Sequence, residues 1–343
     1  MPPEPEPAVA SEADRDSLLV LALLGTVVGA AAGGVGAIFR LSLGQADRMR
    51  GALIAVAHGY GLAGLLLVLL MCGAATALAA WLVRRYAPHA SGSGIPHVEA
   101  VLNGSLEPAP IGLAPVKFVA GVLAIGSGLA LGREGPSVQM AASIANRIGL
   151  LFRRDWTDCR VLLAAGAGAG LATAFNAPLA GAVFVLEELL RRFEIRIAIV
   201  ALGASATAIA VSRGMLGDLP DFHVGTLAYA GVAIRPLYFV FGAVAGLVAI
   251  AYNRTLLAMI AVADRLRSWP VELRAGLIGA AVGTLAWFAP GLVGGGDTIT
   301  QRILAGAETL ATLPAAFLLR FGLGAVSYAA RCAFWWIVNT DSV

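Results

Sequence analysis

Charge is what this sequence has least of. Lys, Arg, Asp and Glu make up 13% of its 343 residues, whereas roughly a quarter of a soluble domain is charged. Such a chain lacks the polar surface to cover itself in water, which excludes an ordinary soluble globule. Cysteine is nearly missing too. Cys72, Cys159 and Cys332 lie far apart, so there is no disulfide framework and no metal-binding spacing; each reads as a small packing residue. His58, His89, His97 and His223 are equally dispersed. No nucleophile–base pair or metal constellation is found, so neither an enzyme nor a metal or organic cofactor is expected. The net charge of +3 is too small to argue for nucleic acid. The N-terminal MPPEPEPAVASEADRDS lacks the basic region of a secretory signal, so the first apolar run is expected to be retained. Residues 1–17 themselves read as a disordered, proline-rich acidic tail.

What is present is apolar. Hydrophobic residues make up 59% of the chain and the mean hydropathy is +0.82. Runs near the roughly 20 residues needed to cross a bilayer recur at Leu18–Phe39, Leu62–Val83, Val161–Leu186 and Tyr238–Tyr252 with its flanks. The expected fold class is all-α: a polytopic membrane protein of about a dozen tilted and broken helices, in contact with membrane lipid.

The 42 glycines and 16 prolines fall inside these runs rather than in linkers. Small residues let membrane helices approach closely. Gly-Pro breaks do something else: they free backbone N–H and C=O groups, which is tolerated only against protein or a wet cavity. Broken helices are a recurrent way to build a mid-membrane ion site. In ASGSGIPHVEAVL, Pro96 suits the first turn of a helix, with Ser93 placed like a cap. The free N–H groups and the positive dipole end would then face whatever lies beyond Ser93. The plain alternative is a capped helix after a flexible loop.

GREGPSVQ repeats the design, with the helix expected after Pro136. A carboxylate, Glu134, lies just before it and can occupy the place of an anion among the N–H donors. Ionisable groups inside a membrane are functional candidates by default; a loop at the membrane surface is the alternative. The GAGAG at Gly166–Gly170 lacks the βαβ context and acidic partner of a dinucleotide site and is set aside. In AFNAPLAGAVFVLEELLRR, Asn176–Ala177–Pro178 begins another helix. Glu187 and Glu188 close its apolar run, where spacing alone pairs them with Arg191 and Arg192 at i+4.

GSGIP (Gly92–Pro96), GREGP (Gly132–Pro136) and NAPLAG…FVLEE (Asn176–Glu188), in this order and spacing, with PVKF at Pro115–Phe118, resemble the chloride channel and chloride/proton antiporter (CLC) family from about Leu18 to Ala330. The resemblance implies anion-binding roles for Ser93, Gly94, Ile95, Arg133, Glu134 and Gly135. Ser93 would supply a hydroxyl to the central anion, and Arg133 a backbone N–H to the outer site. Serine at position 93 implies chloride, since nitrate-selective relatives tend to carry proline there. Glu134 would be the gating glutamate and Glu188 the inner proton-transfer glutamate, which favours chloride/proton exchange over a passive channel. Protons and chloride are then the transported partners, a homodimer is implied, and a bacterial inner membrane fits.

An internal repeat is faintly visible. Tyr86–Ala87–Pro88 precedes Gly94 as Phe288–Ala289–Pro290 precedes Gly296. VKFVAG (Val116–Gly121) pairs with LRFGLG (Leu319–Gly324), one residue out of register. Residues 18–215 then form a first membrane repeat and 216–330 a partial second one. The resemblance leads one to expect a GxFxP motif and an anion-touching tyrosine after the SYAA segment, and neither follows. Residues 331–343 carry no family likeness and read as a frameshifted tail. The alternatives are a short family member completing its site by association, or a non-transporting fragment.

Overall fold

A computed structural model describes residues 12–224, 235–266, 268–309 and 311–330. The segment 331–343, read as a non-homologous tail, and residues 1–11 lie outside the described residues. Among those described there are twelve α-helices and no strand. In chain order they are α1 (Glu12–Ala57), α2 (Gly61–Tyr86), α3 (Ile95–Leu102), α4 (Leu113–Gly126), α5 (Glu134–Leu151), α6 (Trp156–Phe175), α7 (Pro178–Phe184), α8 (Ile195–Leu216), α9 (Arg235–Arg265), α10 (Val271–Phe288), α11 (Asp297–Leu304) and α12 (Leu313–Ala329). Helix therefore extends into the segment read as an N-terminal tail. Five described stretches are long and apolar enough to cross a membrane.

The run Val161–Leu186 is not one helix. It breaks where the sequence places Asn176–Ala177–Pro178. Asn176 adopts the left-handed conformation at the end of α6 (φ 53°), a usual helix stop. Pro178 then opens α7, where its missing N–H costs no hydrogen bond.

The chain divides into two compact units. The first gathers residues 12–37, 95–111 and 137–218. Its axis is α6, whose GAGAG is a packing device. A Cβ at Gly166 would collide with α5, and one at Gly170 with the Ser137 carbonyl. A Cβ at Gly168 would meet Gly181 of α7. On α1, Gly25, Gly29 and Gly33 face Val200, Ala204 and Ala208 of α8 in step, one small residue per turn. Without a hydrophobic drive between helices in lipid, such close backbone approach is what holds them together.

The second unit gathers residues 38–94, 112–136 and 219–330. Here α2 packs on α10 through Gly276, Gly279 and Gly283 against Gly73, Thr76 and Cys72. Thr76 is fully buried and satisfies its hydroxyl on the Cys72 and Gly73 carbonyls at 2.9 Å. Cys72 is a buried free thiol within this packing. Large apolar side chains at consecutive positions of α9, such as Tyr238, Phe239, Val240 and Phe241, are all exposed. A helix apolar on every side fits a lipid surrounding.

The internal repeat is visible in the backbone. Ala87 (φ −151°, ψ 75°) and Ala289 (φ −141°, ψ 68°) each precede a 3-10 turn that starts with proline. Positive φ recurs at the same separation in Gly92 and Gly294 (67° and 79°), Gly94 and Gly296 (94° and 103°), and Gly104 and Gly306 (75° and 68°). Helices α3 and α11 follow these turns and have equal lengths of 8 residues. Few residues other than glycine take such angles, so the glycine spacing carries the repeat where side chains have diverged.

Candidate anion site

Two helix breaks meet in the second unit. The chain leaves the 3-10 turn Pro88–Ala90 and reaches Ser93 and Gly94 just before α3. Ser93 is half-buried and Gly94 buried. The helix starts at Ile95, so the left-handed Gly94, not Ser93, directly precedes it; the expectation of Ser93 as the cap is corrected by one position. The Ser93 side chain instead lies within hydrogen-bonding reach of the Tyr328 hydroxyl.

The second break is Gly128–Arg133. Helix α5 begins at Glu134, earlier than the expected start after Pro136. Glu134 therefore lies in the first turn, where the macrodipole favours a negative charge. Its half-buried carboxylate folds back over Gly132, where a Cβ would overlap it. Gly135 is buried and touches Ser93: a methyl group there would strike both the Ser93 carbonyl and its hydroxyl. Thus Ser93, Gly94, Arg133, Glu134 and Gly135 share one unit and one neighbourhood. Ile95 and Glu188 belong to the first unit.

Three basic side chains hold the surrounding loops. Buried Lys117 on α4 donates to the carbonyls of Ala90 and Gly92, both at 2.7 Å. A buried ammonium requires such partners; the two charge-assisted hydrogen bonds offset its desolvation and tether the loop that carries Ser93. Arg133 spans Asp221 and Asp297, both at 3.1 Å. Asp221 also binds Arg40 at 2.5 Å. Arg320 on α12 donates to the carbonyls of Leu292 and Gly294 at 3.0 and 2.8 Å. A cavity of about 250 Å³ is lined by Arg40, Arg133, Glu134, Asp221 and Asp297 together with apolar Leu43 and Leu131, so the carboxylate borders a space with both charged and apolar walls.

In the first unit, Glu187 and Glu188 are exposed on a π-turn, Val185–Leu189, closed by the Leu190 N–H to the Val185 carbonyl at 3.0 Å. Single π-turns within helices are rare and recur at functional sites. The wider turn breaks the i+4 register. Arg191 pairs with Glu99 at 3.3 Å and Arg192 with Glu194 at 2.5 Å, rather than with Glu187 and Glu188.

Sequence reasoning missed Tyr328, which reaches Ser93 from a distant helix. Its only signal was the SYAA segment. No group of His, Cys, Asp and Glu able to hold a metal ion exists among the described residues. The described site offers a hydroxyl pair, helix-terminal N–H groups and an acid, a set suited to a halide held without a dedicated counter-ion.

The profile of the voltage gated chloride channel family matches residues 75–333. The chain is 38% identical over 320 residues to the H+/Cl− exchange transporter ClcA of Cronobacter sakazakii, covering 90% of this chain and 67% of that protein. It is 35% identical over 321 residues to ClcA of Salmonella arizonae, covering 90% and 66%. The chain thus spans about two thirds of the length of these relatives. Among solved structures, a slow cyanobacterial Cl−/H+ antiporter matches with a TM-score of 0.85 at 31% identity, covering 90% of this chain and 73% of that one. A CLC-type fluoride/proton antiporter shares the fold, with a TM-score of 0.80 at 22% identity over 95% of this chain and 78% of its own.

Proposed function

Since the chain belongs to the voltage gated chloride channel (CLC) family, we propose that it exchanges chloride for protons across a membrane, with Glu134 as gate and Glu188 as the inner proton glutamate. The observation that carries this reading is the juxtaposition of the Glu134 turn with Ser93 through Gly135. Chloride would rest among the Ser93 hydroxyl and the N–H groups near Gly94, Ile95 and the start of α5. With no dedicated counter-ion, binding stays weak enough for release. The Glu134 carboxylate competes for the same donors. When it takes a proton it leaves them to chloride, and when it loses the proton it returns, which links the two movements. Glu188, on its exposed π-turn, would take up and release the exchanged proton. Relatives named as H+/Cl− exchange transporters support exchange. Their bacterial origin supports placement in a bacterial inner membrane, and the two-repeat partition at about residue 215 is proposed on the same footing.

Flux from proteoliposomes tests this. A chloride gradient is expected to drive proton movement in the unaltered protein. Glu188→Ala is expected to abolish proton movement while sparing chloride, and Glu134→Ala to leave chloride movement without protons. Chloride flux with no proton movement in the unaltered protein would support a passive channel instead; absence of any flux would defeat the transport reading.

A further inference from the structure

The glycine-rich turn before α11 lines the cavity beside Glu134 through Gly295, and it is held by several hydrogen bonds. Arg320 donates from Nη1 to Leu292 and Gly294 and from Nη2 to Gly295 at 3.4 Å. A guanidinium is a rigid, permanently charged fork of donors, so one side chain holds three carbonyls of a single loop, those of Leu292, Gly294 and Gly295. The glycines make this possible. A Cβ at Gly296 would come within 2.6 Å of Nη2. Left alone, three consecutive glycines would be costly to order.

The pinned segment touches the Glu134 loop at both of its ends. The Gly294 N–H donates to the Gly128 carbonyl at 2.8 Å, where the chain departs from α4. Asp297 binds Arg133, the residue beside Glu134. Two turns beyond Arg320 on the same helix, the Ser327 hydroxyl accepts the Ala130 N–H at 2.9 Å. Gly128, Ala130 and Arg133 are therefore all held from α12, directly or through the segment that Arg320 fixes. At the matching place in the first repeat, Lys117 holds Ala90 and Gly92, the carbonyls preceding Ser93.

We propose that Arg320 is a positioning residue for the Glu134 gate, acting through the 292–297 segment, as Lys117 positions Ser93. The proposal rests on the reading of Glu134 as gate. Its sharpest consequence comes from the repeat: lysine should serve in place of arginine at position 320, because lysine serves at the equivalent position 117, whereas methionine should not.

The test compares chloride turnover in proteoliposomes for the unaltered protein, Arg320→Met, Arg320→Lys, Glu134→Ala and the double variant Arg320→Met/Glu134→Ala. Loss of charged hydrogen bonds from Arg320→Met is expected to slow turnover about tenfold, with Arg320→Lys within about threefold of the unaltered protein. In the Glu134→Ala background the same methionine is expected to change turnover less than about twofold, since no gate remains to be positioned. An equal slowing in both backgrounds would make Arg320 merely structural and overturn the proposal. If Arg320→Met does not fold, Asp297→Asn carries the test at an exposed side chain: slowing confined to the Glu134 background supports the proposal, and unchanged turnover overturns it. Proton movement that persists in Glu134→Ala alone would instead remove the gate reading itself.

Discussion

Gly135 lies against Ser93 so closely that no side chain fits between them. The Ser93 hydroxyl, proposed to meet an anion, and the helix turn that carries Glu134 are thereby held as neighbours by the absence of one carbon atom. Gly135→Ala forces either the Ser93 loop or the first turn of α5 to move. Overpacking of this kind costs about 1–3 kcal/mol. The expected outcome is a folded protein whose chloride affinity, measured by calorimetry, drops at least about tenfold.

Gly132 makes room for the Glu134 carboxylate. Gly132→Ala occupies that space and drives the acid from its resting place. Chloride turnover is expected to lose its dependence on proton movement while chloride binding persists. Unchanged proton coupling in a flux assay would show that the acid does not rest there in the working protein.

Lys117→Met keeps the length of the side chain and removes the donor from two loop carbonyls. The buried Ala90 carbonyl, left without this partner, costs about 1–3 kcal/mol, and the exposed Gly92 carbonyl less. A lowered thermal unfolding midpoint in detergent is expected, together with weakened chloride binding. Lys117→Arg is expected to recover most of both, mirroring the arginine at position 320.

Tyr328→Phe removes only the hydroxyl within reach of Ser93. One neutral hydrogen bond contributes about 0.5–1.5 kcal/mol, so the unfolding midpoint should barely move. Chloride binding is expected to weaken by about threefold to tenfold. Identical affinities for the two proteins would exclude the tyrosine from the site.

Gly29→Val, in the first unit, places a branched side chain against the Ala204 carbonyl on α8. The two helices must separate, at about 1–3 kcal/mol or more. The lost stability should appear as a lower midpoint in detergent, whereas Gly34→Ala, in the interior of α1 and meeting nothing within 4 Å, should leave it unchanged or raise it.

The breaks were legible in the sequence because glycine, proline and asparagine act locally. Asn176 ends a helix and Pro178 starts the next whatever surrounds them. The pentapeptides located Ser93 and Glu134, since special backbone angles leave few residue choices. The start of α5 was misplaced by three residues, and that of α3 by one, because a left-handed Gly94 can precede a helix without a side-chain cap. What stayed hidden was long-range. No local pattern tells that Lys117 and Arg320 are spent on carbonyls, or that Tyr328 turns toward Ser93. The expected pairing of Glu187 and Glu188 with the following arginines failed for a different reason: spacing arguments assume ordinary winding, and Val185–Leu189 is wound more widely.

That wider winding makes the heading of Glu188 a matter of chain length. Removing Leu186 or Glu187 would let the backbone relax into the common helix and swing every later side chain, Glu188 included, by roughly 100° about the axis. The acid would keep its chemistry and lose its aim. A one-codon deletion ahead of Glu188 is thus expected to silence the proposed proton route as fully as Glu188→Ala, although the carboxylate is still present.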